Sequence, residues 1–350
     1  MPKQLANEAH SLLTCVCAAR APLAPVGAEL VCDSCGAHHP IVDGVPVLLN
    51  ERSVFDAHEV IRQYREAPKN PKPSWFGRAR KFIPRIGSNL AADESAARIK
   101  DMLAGIERPR VLVVGGGDSG AGMASILDNP RYLVVESDVY FGARCNVIAD
   151  GHDLPFRDGS FDAVICQAVL EHVARPQACI NEMHRVLAPR GVFFADIPFM
   201  YPVHMGAYDF TRFSLGGMRL ACRAFEEVSA GISGGPFQAI AQTTFHSLRG
   251  VSRARAWQAF VFFVLPWFIF WLHHLDKPLR HRPQAGDGAS GVYFLGRRSE
   301  RQRSEREVIQ QYWRYHTAAK RPLLAGGVTA PGVAYQATAS QAAEESAPGS

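Results

Sequence analysis

Three consecutive glycines, Gly115, Gly116 and Gly117, end the largely β-branched run Val111-Leu-Val-Val, and a carboxylate, Glu136, follows the third by nineteen positions at the close of Tyr132-Leu-Val-Val-Glu136. Glycines at a strand-to-helix turn let the backbone come close to a ligand, and an acid after the second strand can accept hydrogen bonds from ribose hydroxyls. A nucleotide-like cofactor is the expected occupant. A tight turn without a ligand would also use the glycines, but it would not need the spaced acid.

A second constellation lies near the amino terminus. The chain has eight cysteines, and four of them, Cys15, Cys17, Cys32 and Cys35, have ligand spacing, whereas Cys145, Cys166, Cys179 and Cys222 are scattered singly. Four thiolates can surround one tetrahedral zinc, and Gly36 allows the tight knuckle after the second pair. The first pair has one intervening residue where two are usual, which leaves open a strained site, a recruited His38 or a small β domain with buried free thiols. A reducing cytosol disfavours a disulfide.

These groups need elements to position them. Strands and helices alternate from Val111 to about residue 200, which predicts a mostly parallel sheet covered on both faces. Ala91 to Ile106 has an apolar stripe of Ile99, Met102, Leu103 and Ile106 and predicts a helix before the first strand. Glu51 to Glu66 has helical character, and Ala67-Pro-Lys-Asn-Pro-Lys-Pro73 reads as an extended linker, placing a boundary near residue 70. The 350 residues, 47% of them hydrophobic, suffice for a substantial core plus additions.

Further motifs narrow the cofactor. Ile148-Ala-Asp150-Gly-His-Asp-Leu-Pro-Phe156, then Asp158-Gly-Ser-Phe-Asp162-Ala-Val-Ile-Cys-Gln167-Ala-Val-Leu-Glu171-His172-Val, and Met183-His-Arg-Val-Leu-Ala-Pro-Arg-Gly191-Val-Phe-Phe-Ala-Asp-Ile-Pro198 follow in order. Over roughly residues 90 to 230 this succession resembles class I methyltransferases of the small-molecule type. The resemblance implies a Rossmann-like α/β fold, a seven-stranded sheet with helices on both faces, and S-adenosylmethionine as cofactor. It implies that Gly115, Gly116 and Gly117 pack against the methionine part, Glu136 holds the ribose, and Asp150 with Gly151 and His152 reads the adenine, with Gln167 ending the fourth strand nearby. Val113 stands where the family often has an acid, so contact with the cofactor's amino group would fall to Asp118 or go unfilled.

The stretch Leu30-Val-Cys-Asp-Ser-Cys-Gly-Ala-His-His-Pro40-Ile-Val-Asp-Gly-Val-Pro46-Val-Leu-Leu49 resembles the zinc ribbon of methyltransferase activators, a domain also fused ahead of bacterial methyltransferases. A small β zinc-ribbon-like domain over residues 1–50, holding one structural zinc, is therefore expected before the methyltransferase domain of 91–299.

For the acceptor, Pro198-Phe-Met-Tyr201-Pro-Val-His204-Met-Gly-Ala-Tyr208-Asp209-Phe-Thr-Arg212-Phe-Ser214 is rich in reactive types, and Ser214 can cap a helix from Leu215 to Arg223. Methyl transfer from a sulfonium needs alignment, and a base only where the nucleophile carries a proton that must leave. His204 is the first candidate base, Asp209 would orient it, and Arg212 could hold a phosphate or carboxylate. His172 is the second candidate. A plainer alternative has Asp209 and Arg212 bracing the loop, with His204 at its rim. Similar stretches occur in methyltransferases encoded with polysaccharide and glycolipid pathways, which suggests O-methylation of a glycan or lipid-linked saccharide.

Trp257 to Leu272 is an uncharged, aromatic-rich run of sixteen residues. Phe225 to Ile232 and Gly291 to Gly296 resemble the sixth and seventh strands, which pair in one sheet, so a single crossing between them is excluded topologically. A hydrophobic insertion at about 236–285 would therefore lie at a membrane interface or serve as a buried lid. Arg249, Arg253, Arg255, Lys277, Arg280 and Arg282 flank it and suit an anionic membrane surface, or less readily nucleic acid. The polar start of the chain shows no secretory signal, so a cytoplasmic protein, peripheral on the inner membrane face, is expected. The net charge of +5 concentrates in the last third, where residues 300–316 form a basic helix, and a tail from 317 is expected to be disordered. Two rival readings are an RNA or protein methyltransferase and a non-catalytic adaptor on the same fold.

Overall fold

Strand β5, Arg110–Val114, shows how the core is built. Leu112 and Val114 pack into a cluster on one face with Ile180, Met183, Val186 and Phe193, while Val111 and Val113 pack on the other with Ile99, Leu103 and Met123. Side chains alternate along a strand, so a run that is apolar on both parities is covered on both faces. The computed structural model describes residues 5–68, 79–117 and 120–318. Most of the expected linker, Asp118 and the tail from 319 lie outside the described residues.

Around β5, the parallel strands are β6 (Leu133–Asp138), β7 (Val147–Ala149), β8 (Phe161–Gln167) and β9 (Leu187–Pro198). Two strands close the far side: β10 (Phe225–Gly234) and β11 (Gly291–Arg298), with β11 antiparallel to both β9 and β10. Among the described residues, 91–299 thus contribute strands in the spatial order β7-β6-β5-β8-β9-β11-β10. The amino-terminal strands β1 (Leu23–Val26), β2 (Glu29–Cys32), β3 (His38–Val42) and β4 (Val45–Leu48) form an antiparallel meander.

The expected separation of this meander from the sheet needs correction. Val47 and Leu48 of β4 pair in parallel with Ile148 and Ala149 of β7, so the sheet runs on to eleven strands. Leu12, Leu13, Leu30 and Leu48 lie in the same apolar cluster as the catalytic-side strands. Arg20 adds ion pairs to Asp153 at 2.9 Å and Glu182 at 3.0 Å. An edge strand left open would offer unpaired backbone groups, and β4 satisfies them along β7.

Local signals account for several element ends. Asp56 accepts from the Glu59 amide at 2.8 Å and caps the helix Ala57–Glu66. Ser214 accepts from the Gly217 amide at 3.1 Å and caps Leu215–Ala221. The helix expected from Ala91 to Ile106 covers Ala92–Leu103, buries Ile99 and Leu103, and stops before Gly105, leaving Ile106 exposed. The carboxy-terminal helix is Glu305–Ala318, acidic in its first turn.

Between β10 and β11 the chain makes the insertion. Helix Pro236–Val251 is followed by Arg255–Phe263, Leu265–Ile269 and a 3-10 segment Phe270–Leu279. Asp276 accepts from the amides of Phe237 and Gln238, each at 2.9 Å, tying the segment's end back to the first helix. Because β10 and β11 are neighbours, the insertion leaves and re-enters at one place.

Candidate active-site cleft

The carboxyl ends of the parallel strands open into a cleft of about 1970 Å³. Gly115 lies there, with Asp138, Asp150, Gln167 and Pro198 ending or following the neighbouring strands. Ligands of open α/β sheets bind at this edge, where strand order reverses on either side of the first strand. Gly115 has φ +78°, and a Cβ on it would come within 2.1 Å of Val169 Cγ2. Only glycine fits that turn. Ala168, at φ 52°, is a second left-handed residue on the rim.

Gly116 and Gly117 are not on the cleft wall; they shape the turn behind it. A Cβ on Gly116 would meet Glu136, and one on Gly117 would meet Tyr140 and Asp138. Glu136 itself requires correction as the ribose contact. It is fully buried, does not line the cleft, and accepts from Arg144 Nε at 3.0 and 3.1 Å. The acid at the cleft edge is Asp138, which lines the cavity, accepts from the Gly117 amide at 2.8 Å and accepts from the Val139 amide at 2.7 Å. The sequence signal was present, since Asp138 ends the strand and follows Gly117 by twenty-one positions, as near the expected spacing of about twenty as Glu136 at nineteen.

Asp150, Gly151 and His152 line the cleft together. Asp150 Oδ1 accepts from the His152 amide at 2.9 Å and from its Nδ1 at 2.6 Å, and Arg175 N donates to His152 Nε2 at 3.3 Å. The imidazole is thereby held with its proton on Nδ1. Ser53 Oγ donates to Asp150 Oδ2 at 2.6 Å. Burial opposes the charge on Asp150, but the hydrogen bonds from His152 and Ser53 win and hold its carboxyl below the usual range. Gln167 lines the cleft and donates to the Ala121 carbonyl at 3.2 Å.

The predicted acceptor-side residues also come together, with His172 and His204 lining the same cleft. His172 and His204 meet edge to face with ring centroids 4.7 Å apart. Asp209 accepts from the His204 amide at 2.7 Å, its Oδ2 lies 3.4 Å from His204 Nδ1, and Arg212 grips it with both terminal nitrogens. Arg212 holds its carboxyl down at about 2. Asp209 and Arg212 do not line the cavity, so the expected role of Arg212 as a substrate anchor is corrected: its fork is used on Asp209, which braces the loop.

Sequence reasoning missed several wall residues. Glu171, fully buried, lies under the two histidines, and burial pushes it up to about 7. Asp196 accepts from Asn89 Nδ2 at 2.5 Å. Phe55, from the segment before helix Ala57–Glu66, stacks on Tyr208 with centroids 6.0 Å apart, joining the amino-terminal region to the acceptor loop. Phe245, Phe262 and Pro266 of the insertion also line the cavity. Glu171 and Asp196 lie within the strand-end motifs but carried no assigned role, whereas Phe55, Phe245, Phe262 and Pro266 have no local motif and arrive by chain crossing.

At the amino terminus, Cys15, Cys17, Cys32 and Cys35 converge, with Cys15 Sγ 3.7 Å from Cys35 Sγ and Cys17 Sγ 4.0 Å from Cys32 Sγ. A tetrahedral zinc with bonds of about 2.3 Å sets its sulfurs roughly 3.8 Å apart, so the four donors fit. The histidine beside them is His39, whose Nε2 is 3.4 Å from Cys15 Sγ, while His38 instead pairs with Glu29 at 2.7 Å.

Part of the chain is similar to known proteins. Residues 123–195 match the family described as a methyltransferase domain. A methyltransferase of Mycobacterium tuberculosis, itself uncharacterised, is 33% identical over 158 residues, covering 40% of this chain and 60% of the relative. A ubiquinone/menaquinone biosynthesis C-methyltransferase of Roseobacter denitrificans is 32% identical over 107 residues, covering 28% of this chain and 42% of the relative. The chain thus spans less than two thirds of the curated relatives it matches. Among solved structures, a phosphoethanolamine N-methyltransferase of Haemonchus contortus in complex with S-adenosyl-L-methionine aligns with 13% identity and a TM-score of 0.41, over 61% of this chain and 54% of that one.

Proposed function

We propose that this chain is an S-adenosylmethionine-dependent methyltransferase that acts on an oxygen of a glycan or lipid-linked saccharide at the cytoplasmic face of a membrane. The observation that carries the reading is that one cleft at the strand ends is lined both by Gly115, Asp138 and Asp150, which suit a nucleoside, and by Tyr201, Tyr208, His172 and His204, which suit a polar acceptor.

The residues fit the cofactor. The turn at Gly115 is packed so tightly against Val169 that only glycine is accommodated, Asp138 would accept from the ribose hydroxyls, and Asp150, its carboxyl held below the usual range, would accept from an amino group. When bound, S-adenosylmethionine supplies a methyl group on a sulfonium for in-line displacement. The protein would orient the acceptor toward the methyl group, with Phe55 stacked on Tyr208 holding that side chain of the acceptor loop.

The insertion supports a lipid-linked acceptor. It lends Phe245, Phe262 and Pro266 to the cleft wall while leaving Trp267, Phe268 and Trp271 exposed. By length and composition Arg255–Leu279 is apolar enough to cross a membrane, but both its ends return to the paired strands β10 and β11. An interfacial position lets tryptophans lie at headgroup depth with the flanking arginines on anionic lipid. The four-cysteine cluster is proposed to bind one structural zinc that fastens the meander to the sheet.

Calorimetric titration with S-adenosylmethionine tests the reading. Micromolar binding by the native protein that falls at least tenfold in Asp138→Ala is the expected result, and absence of binding by the native protein overturns the enzyme reading in favour of an adaptor.

A further inference from the structure

We propose that Glu171, His172 and His204 form a site for one divalent metal ion of the Mn²⁺ type at the acceptor end of the cleft. Glu171 Oε1 lies 3.6 Å from His172 Nε2 and 3.7 Å from His204 Nε2. One ligand atom from each of the three residues falls within 4.8 Å of the others. Adjacent ligands of a metal bound at about 2.1 Å lie roughly 3.0–3.4 Å apart, so both imidazoles have to draw in toward the Glu171 carboxylate to close the site.

The histidines are turned for this task. His172 Nδ1 is 2.7 Å from the Tyr208 carbonyl, which can only accept, so the proton sits on Nδ1 and the Nε2 lone pair faces Glu171. His204 also turns Nε2 toward Glu171, at 3.7 Å, while its Nδ1 is buried 3.4 Å from Asp209 Oδ2 without a hydrogen bond, so the outer support is formed on His172 alone. A carbonyl or carboxylate behind Nδ1 is the usual outer support of a metal-binding imidazole.

Glu171 supplies an independent observation. Both of its carboxylate oxygens are buried and have no hydrogen-bond partner. A buried carboxylate without a partner is costly, and the neighbouring Arg212 directs its terminal nitrogens to Asp209. A cation among the three groups provides the missing partner. Two imidazoles and one carboxylate suit a divalent transition metal and leave coordination positions open to the cleft beside Tyr201 and Tyr208.

The use of the metal rests on the methyltransferase reading; its binding does not. An acceptor hydroxyl directed by the cation is acidified. As the methyl carbon joins the acceptor oxygen, its bond to sulfur breaks and sulfur keeps the electron pair, while the hydroxyl proton passes to water in the open cleft. His204 then serves the acceptor as a ligand to the cation and not as the group that takes the proton.

Electron paramagnetic resonance of Mn²⁺ titrated into the full-length chain tests the site, since Mn²⁺ is poorly held by thiolates and the four-cysteine cluster does not compete. One bound Mn²⁺ per chain is expected in the native protein, with affinity at least tenfold lower in Glu171→Gln and in His204→Ala. Circular dichroism establishes that the variants are folded, and His204→Ala, on a surface loop, serves if Glu171→Gln does not fold. No bound Mn²⁺, or equal binding by native protein and folded variants, overturns the metal site. S-adenosylmethionine calorimetry on the same native protein separates the two readings, because cofactor binding without Mn²⁺ binding overturns the metal site alone.

Discussion

Ser53 Oγ donates a 2.6 Å hydrogen bond to Asp150 Oδ2, so a residue just beyond the amino-terminal meander holds the carboxylate expected to read the cofactor's adenine. The segment that follows the meander thereby braces a carboxylate of the cleft, while the meander itself extends the sheet.

Ser53→Ala should weaken S-adenosylmethionine binding severalfold and lower stability by about 1.5–3 kcal/mol, the range for a hydrogen bond to a charged group. The sign with pH follows from Asp150's lowered carboxyl: its contribution is full above the ordinary carboxylate range and is lost as pH falls through the folded value. Denaturant unfolding should therefore separate native and variant proteins at neutral pH and bring them together in strong acid. A difference that persists in strong acid would assign Ser53 another role.

Asp138 and Glu136 should separate cleanly when each is changed to alanine. Asp138→Ala should lose cofactor affinity with a modest loss of stability. Glu136→Ala should instead destabilise by about 2 kcal/mol, less than the roughly 3–5 for breaking a fully buried pair, because Arg144 is partly exposed and keeps Asp128 at 2.8 Å. Calorimetry and thermal unfolding on both variants check the pair.

Gly115→Ala should abolish cofactor binding and cost at least about 1–2 kcal/mol from the left-handed backbone alone. Trimming the clashing side chain in Gly115→Ala/Val169→Ala should recover part of the stability, which thermal melts would read directly.

Elemental analysis should find one zinc per chain on the cysteine cluster. Cys32→Ser, or removal of the metal with a chelator, should release it and lower the unfolding temperature, because the meander shares its core with the central sheet.

Replacing Trp267, Phe268 and Trp271 together with serine should reduce co-flotation with anionic phospholipid vesicles at least tenfold without changing S-adenosylmethionine affinity. High salt should weaken the native protein's flotation, through screening of the flanking arginines. Equal flotation of both proteins would count against the interfacial insertion.

Much of this molecule follows from short-range pattern. The doubly apolar strands, the Ser214 and Asp56 caps, the glycine turn at Gly115 and the cysteine spacing are local features, and local sterics and hydrogen bonding decide them. Cleft residues were legible where they end a strand, as Asp150 and Gln167 do.

What the tertiary structure alone decided concerns groups whose roles depend on distance along a strand or on chain crossings. Glu136 pairs in register with Val113 inside the sheet, two residues short of Asp138. At about 3.3 Å per residue that shift moves a carboxylate roughly 7 Å from the edge where ligands bind. The pairing of β4 with β7, the placing of Phe55 on Tyr208 and the meeting of Glu171 with His204 join segments far apart in sequence. Such contacts are selected by burial and packing of the whole chain, and no local spacing encodes them.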